Sequence, residues 1–386
     1  MKLTCVGAYT DGKCLWVPSG EINALYKMDI SKRNIKYIGK FPDCWNDMSW
    51  RIRKVFEYHD EVFFFSTISY QIWRLEKATK EIETYNCWSQ SIVQITNVEI
   101  VQNKAWIIPN NFISPIICFD LQKKEGKVLQ WNNEQYWKYG TGSFTRTVRF
   151  EDKIYFATRN KEDIHLCVLN CVHKKMMIHD IRELSLINCI GVKDDKLWIF
   201  GENRERKNIF LEYDVHTLQC VGSYLSVLSE KLMEKGGLQY FSMGIMPNSI
   251  MLIPAWAKKI ILYDLDSNEE RYIEYPDDFA SKLKTVSGVV FNEMMLIEGR
   301  MFFMPYLIPK LLVLDVKSLT FETLDMAVSE KEYAKAFKEF CIVSGKHLNE
   351  SRCLSVEHFC KAMRQEEASI LRSKPKNTGI KIFENM

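Results

Sequence analysis

The sequence contains no uninterrupted apolar run of the roughly 18 residues that a membrane-spanning helix needs. It has no Cys-x-x-Cys pair, and its closest histidines outside turns, His173 and His179, do not have metal-ligand spacing. Zinc ribbons and fingers are therefore excluded. No glycine-rich loop precedes a helix, which removes the usual phosphate cradle, and Ser287-Gly288 lacks the flanks of a nucleophile elbow. Neither charge sign dominates: 52 Lys and Arg against 49 Asp and Glu leave +3. Residues 328–386 hold 11 basic and 8 acidic side chains, so the rest of the chain is balanced and has no general basic stripe for nucleic acid. The 17 Gly and 10 Pro are too few for a fibrous or disordered chain. The start, Met1 to Gly7, reaches polar Asp11-Gly12-Lys13 too soon for a secretory core. The twelve Cys are scattered, and Cys118, Cys167 and Cys189 sit in apolar runs as small buried hydrophobes. A cytoplasmic protein without cofactor is expected, and its oligomeric state stays open.

What the sequence does contain is a repeat. An apolar run, a polar loop and a second apolar run recur, and the second run usually ends in Asp. These ends are Asp29, Glu76, Asp120, Asn170, Asp214, Asp264 and Asp315, at intervals of 47, 44, 50, 44, 50 and 51 residues. The first run of each unit stops 10–13 residues earlier, four times directly in proline: Pro18, Pro109, Pro254 and Pro305. Proline has no amide hydrogen to give a ladder, so it marks a strand end. The Asp carboxylate can accept from amides two residues on and close a hairpin turn. Aromatic residues, 13% of the chain, suit strands and the wide gaps between stacked sheets.

A period of 40–50 residues with several short strands per unit predicts an all-β, seven-bladed β-propeller of four-stranded antiparallel blades over residues 1–327. Beyond Asp325 the pattern turns helical. Ser329–Phe340 and a second segment capped by Ser355 have apolar stripes through Phe337, Phe340, Phe359 and Met363. Residues 328–386 are expected to be a helical appendage packed on the propeller.

The unit Lys196-Leu197-Trp198-Ile199-Phe200-Gly201 followed by Phe210-Leu211-Glu212-Tyr213-Asp214 resembles a kelch repeat. The diglycine of that family is reduced to Gly201 or replaced by proline, and the Gly-His and Trp-Asp pairs of WD40 repeats are absent. The resemblance covers residues 1–327 at the level of fold. It implies a central channel and a face for a ligand or partner.

The repeat is broken in one region. First strands line the axis, and small residues are expected there in Cys5-Val6-Gly7, Cys189-Ile190-Gly191, Ser242-Met243-Gly244 and Val286-Ser287-Gly288. Blades two to four instead carry Arg51-Ile52-Arg53-Lys54, Asn97-Val98-Glu99 and Arg146-Thr147-Val148-Arg149. The loops into the same blades carry Trp45, Trp50, Trp88, Trp131, Trp137 and Tyr139. Trp beside Arg pairs a flat apolar face with a forked donor. The candidate ligand-binding set is Trp45, Trp50, Arg53, Trp88, Glu99, Trp137, Tyr139 and Arg146, with a protein, peptide or glycan as partner and neither nucleic acid nor membrane. The competing structural reading packs the Trp residues between blades and closes the Arg residues into ion pairs. A second functional reading is a hydrolase or lyase acting on a glycan or small molecule at the channel mouth, with Glu99 as acid or base beside Arg53 and Arg146.

Overall fold

The computed structural model describes residues 2–20, 22–42, 52–87, 94–129, 143–158, 164–230, 240–255, 259–286 and 289–336, and the backbone of 372–373. It contains seven antiparallel meanders of four strands, the blade count and type predicted by the repeat. Contacts divide the chain into two units. One holds Met1–Ser66, Gln71–Asn86 and Met326–Met386, and the other Thr67–Tyr70 and Cys87–Asp325.

The first unit carries blades one and two. Blade one is β1 (Tyr9–Thr10), β2 (Cys14–Pro18), β3 (Leu25–Asp29) and β4 (Asn34–Gly39). Blade two is β5 (Ile52–Tyr58), β6 (Glu61–Ser66), β7 (Gln71–Glu76) and β8 (Glu81–Asn86). An aromatic cluster joins them: Phe41 lies edge-on to Phe64 at 5.1 Å and 5.3 Å from Trp73, whose indole N–H donates to Pro42 O at 3.0 Å. Arg74 on β7 is buried between two carboxylates. It meets Glu83 at 2.9 Å and donates through Nε to Glu61 at 2.6 Å. Both carboxylates hold the guanidinium charged, although burial opposes it.

Later chain segments cover the edges of this unit. Leu3 N donates to Met326 O at 2.7 Å. Residues 330–336 form a helix that begins at Ser329, as the sequence predicts. Its Glu332 accepts the edge amide of Tyr37 on β4 at 2.8 Å. Arg372–Ser373 form a short strand, β29, added in parallel to β8. Phe337, Phe340, the segment from Ser355, Phe359 and Met363 lie outside the described residues.

The second unit carries five blades. They are β9–β12 (Ile95–Val101, Lys104–Pro109, Ile117–Asp120, Glu125–Val128) and β13–β16 (Val148–Phe150, Lys153–Ala157, Ile164–Asn170, Lys175–Ile181). Then come β17–β20 (Leu184–Lys193, Lys196–Asn203, Asn208–Asp214, Cys220–Leu225) and β21–β24 (Tyr240–Met246, Ser249–Pro254, Ile260–Asp264, Glu270–Ile273). The last is β25–β28 (Phe291–Ile297, Arg300–Pro305, Lys310–Asp315, Thr320–Asp325). Neighbouring blades share apolar clusters, centred on Trp106 and Phe156, then Tyr155 and Tyr213, then Phe210 and Tyr263, then Phe291 and Phe303.

Burial explains the sequence pattern. Second and third strands are covered on both faces, so β10, β15, β22 and β27 read as continuous apolar runs instead of alternating. Outer strands have one wet side, and β20 and β28 alternate. The four prolines end β2, β10, β22 and β26 as expected.

The third-strand ends close their turns in one way. Asp29 Oδ1 accepts from Lys32 N at 3.0 Å, and Asp120 Oδ1 from Gln122 N at 3.0 Å and Lys123 N at 2.9 Å. Asn170, Asp214, Asp264 and Asp315 accept equivalent amides at 2.7–3.1 Å. Four residues after each end, all seven blades place a left-handed residue: Arg33, Lys80, Lys124, Lys174, Leu218, Asn268 and Leu319, with φ between 52° and 62°. In the last loop before blade seven, Asp277 and Asp278 open a short helix, Asp277–Leu283, and Asp278 pairs with Lys310 at 2.6 Å.

Two predictions follow from these contacts. Removing the Arg74 guanidinium leaves two buried carboxylates facing each other, so Arg74→Ala should cost about 3 kcal/mol in urea unfolding. The turn carboxylates are depressed by the amides they accept, Asp29 from 3.8 to about 2, with Asp214, Asp264 and Asp315 also lowered. A depressed carboxylate stabilises the folded chain above its unfolded value, and that share is lost as pH falls from near 3.8 towards about 2. Asn170 keeps the same geometry without charge. Changing Asp29, Asp214, Asp264 and Asp315 to Asn should therefore flatten the acid limb of the melting-temperature profile, whereas Ala at the same positions should lower it at every pH.

Candidate binding face

Each blade has two unlike ends. The Asp turns and the tight first hairpins lie at one end. The other end holds the longer loops, the proline strand ends and the start of every first strand. Ile95 pairs with Pro109, Tyr240 with Pro254 and Phe291 with Pro305, so the first strands begin beside those prolines. The Trp-bearing loops connect to this second end. Trp45, Trp50, Trp88, Trp131, Trp137 and Tyr139 themselves lie outside the described residues.

In the first unit, Arg53 is half-buried on β5. Gly7 presses on its backbone: a Cβ at Gly7 would sit 2.5 Å from Arg53 O. Glycine is required there by close approach, the crowding expected of the small-residue pattern. In the second unit, an added Cβ at Gly191 would meet Met243 Cβ at 3.1 Å, and one at Gly244 would meet Met301 Cε at 3.1 Å.

Also in the second unit, Asn97 and Glu99 share one face of β9, two residues apart. Asn97 Nδ2 donates to Glu99 Oε1 at 3.0 Å and to Thr147 Oγ1 at 2.8 Å. The Thr147 hydroxyl donates to the same Glu99 oxygen, and Arg149 donates to Ile100 O. Blades three and four are thus stitched together by side chains along their first strands. Arg146 points elsewhere. Its Nη2 donates to Asn292 Oδ1 at 2.6 Å and to Asn292 O, and its guanidinium lies 4.6 Å from the centre of the Phe241 ring. A side chain of blade four therefore reaches the first strands of blades six and seven, past blade five. The candidate set is divided: Glu99, which meets Asn97 and Thr147, and Arg146, which meets Asn292, belong to one unit, and Arg53 belongs to the other.

The axial stretch expected at Val286-Ser287-Gly288 is corrected. The first strand of blade seven is β25, starting at Phe291, because Phe291 and Met294–Ile297 pair with β26. Ser287 and Gly288 lie outside the described residues. The residues overlooked are Asn292 and Glu293, a polar pair inside an apolar run, with Glu293 only 6% exposed. That pair was the available signal. A separate open cleft of about 370 Å³ lies at the Asp-turn end of blades three and four, lined by Lys104, Lys127 and Lys174 with Asp120 and Glu125. Among the described residues no group of three or more His, Cys, Asp and Glu is placed to hold a metal.

The Gly7–Arg53 approach gives a direct test. Gly7→Ala drives a methyl group into backbone and should cost about 2 kcal/mol in thermal or urea unfolding. An unchanged melting temperature would mean that the Gly7 segment and β5 separate freely.

No protein-family model and no curated protein matches the chain. Solved structures do match it. The WD40 repeats of RRP9 align over 79% of this chain and 88% of theirs, with TM-score 0.53 and 7% identity. The structure of U3-55K aligns over 79% of this chain and 89% of its own, with TM-score 0.52 and 7% identity. At such low identity the likeness is one of architecture, and that architecture is the seven-bladed β-propeller.

Proposed function

We propose that this protein is a non-catalytic cytoplasmic scaffold that docks a protein or peptide on the loop end of blades two to four. The observation that carries the reading is the Arg146 cluster. The Arg146 guanidinium, just ahead of β13, is fixed by the side-chain amide and carbonyl of Asn292 on β25 and by the Phe241 ring on β21, at the end where the Trp-bearing segments attach. Polar groups held by rigid elements are preorganised for recognition. Glu99 supports the same reading, since one of its oxygens accepts from both Asn97 and Thr147 and is thereby held in place. The fold adds support, because propellers present loops on a stiff platform, and loops on rigid scaffolds often carry function. The kelch-like unit at Lys196–Gly201 belongs to this proposal as well. The eight described cysteines are free thiols, which suits a reducing compartment.

In this reading Trp45, Trp50, Trp88, Trp137 and Tyr139 supply apolar anchors, and Arg53, Glu99 and Arg146 supply orientation. Large-to-alanine changes at a binding hot spot cost about 2 kcal/mol, roughly thirtyfold in affinity. The full chain, used as bait, should capture a protein partner whose titration weakens about thirtyfold with Trp50→Ala or Trp137→Ala. Circular dichroism should stay unchanged. Capture on a glycan array, lost in the same variants, would assign the face to a sugar instead. Full affinity in both Trp variants would reject this face for either ligand.

A further inference from the structure

Outer strands of a sheet carry unpaired amides and carbonyls, and proteins protect them with charge, bulges or cover. Most outer strands here are protected. β4 has Lys36 and the Glu332 carboxylate on its edge amide, and β8 is covered by β29. β12 has Glu125 and Lys127, β16 has Lys175 and Asp180, β24 has Glu270 and Arg271, and β28 has Glu322 and Asp325. β20 differs. From Cys220 to Ser229 the chain holds no charged residue. Val221, Leu225 and Val227 are 52%, 49% and 50% exposed. Glu212 on β19 is bound by Lys196 at 3.1 Å and by the Tyr224 hydroxyl at 2.9 Å, and Glu270 of blade six accepts from Leu228 N at 2.7 Å and from the Ser226 hydroxyl, beyond the end of β20. β20 is the last strand of its sheet, with only β19 beside it.

We infer that the β20 edge is a docking surface for a second copy of this chain, pairing antiparallel with its own β20. A neutral edge suits itself as a partner, because a two-fold axis brings identical residues together and any charge of one sign would repel its image. Geometry restricts the register. A two-fold axis normal to the sheet keeps each face on its own side, so pairing must centre on a residue and not between two. Centred on Ser223, Leu225 of each copy meets Val221 of the other, and Tyr224 meets Gly222. The two exposed apolar side chains then cover one another, and an aromatic ring lies across from a residue with no side chain of its own. The register shift between Glu212 and Tyr213 leaves Val221 out of the ladder with β19, which places a bulge at one end and a regular run from Gly222 to Leu225.

Analytical ultracentrifugation of the full chain tests this. The wild-type protein should show a concentration-dependent dimer. The Val221→Lys, Leu225→Lys double variant should be monomeric at the same concentrations, with unchanged circular dichroism and melting, since both side chains are exposed in one copy. Met177→Lys, on the outer strand of blade four, should leave the dimer intact. Ser223→Cys in a Cys220→Ser background should form an intermolecular disulfide on mild oxidation, because the two Ser223 positions face each other across the axis. A monomer at every concentration up to the solubility limit would overturn the inference, as would a dimer that survives the double Lys variant or dissociates with Met177→Lys. Failure of the Ser223→Cys cross-link would overturn the register.

Discussion

A strand covered on both faces has no side on which a charge is tolerated, and fourteen of the strands here, the second and third of each blade, are in or near that condition. The cost of burying an unpaired polar group is several-fold larger than the gain from one hydrogen bond. Polar residues are thereby pushed to the ends of these strands, and the two ends take different kinds. At one end a carboxylate or amide folds back onto the next turn. At the other, proline stops the ladder and the chain leaves in a loop. Polar residues that stay inside are met by a partner: Arg74 on β7 by two carboxylates of its own blade, and His165 on β15 by Asp180 at 2.8 Å. The polarity of the blades, tight turns at one end and loops at the other, follows from this exclusion.

Local features of the fold were therefore legible. The turn ends at Asp29, Asp120, Asn170, Asp214, Asp264 and Asp315 needed only residues two and three positions away, and together with Glu76 they set the number of blades at seven. The left-handed position in the same turns was not legible. It is filled by Arg, Lys, Leu and Asn, never by glycine. A left-handed non-glycine residue costs about 1 kcal/mol, and the hydrogen bonds of the hairpin impose it without the glycine that would have announced it.

Features set by distant chain were the ones misplaced. The partner of Arg146 is Asn292, 146 residues away. No spacing rule links two positions so far apart, and the small residues of Val286-Ser287-Gly288 drew the axial assignment to a segment before the strand.

The edges show the same logic from the outside. Where burial cannot protect a backbone, charge or a covering segment has to. The tail does this twice in the first unit, with Glu332 capping the Tyr37 amide and β29 lying along β8. In the second unit the outer strands of blades three, four, six and seven rely on their own charged side chains. A charged residue on an edge holds water there, and water competes for every amide that an incoming strand would need. β20 has neither charge nor a covering segment among the described residues, yet its strand is as regular from Gly222 to Leu225 as those that do. An edge of this kind is stable in an isolated copy only as long as no complementary strand is near. A second copy of the chain would bring the same uncharged pattern, Val221 to Leu225, to that edge.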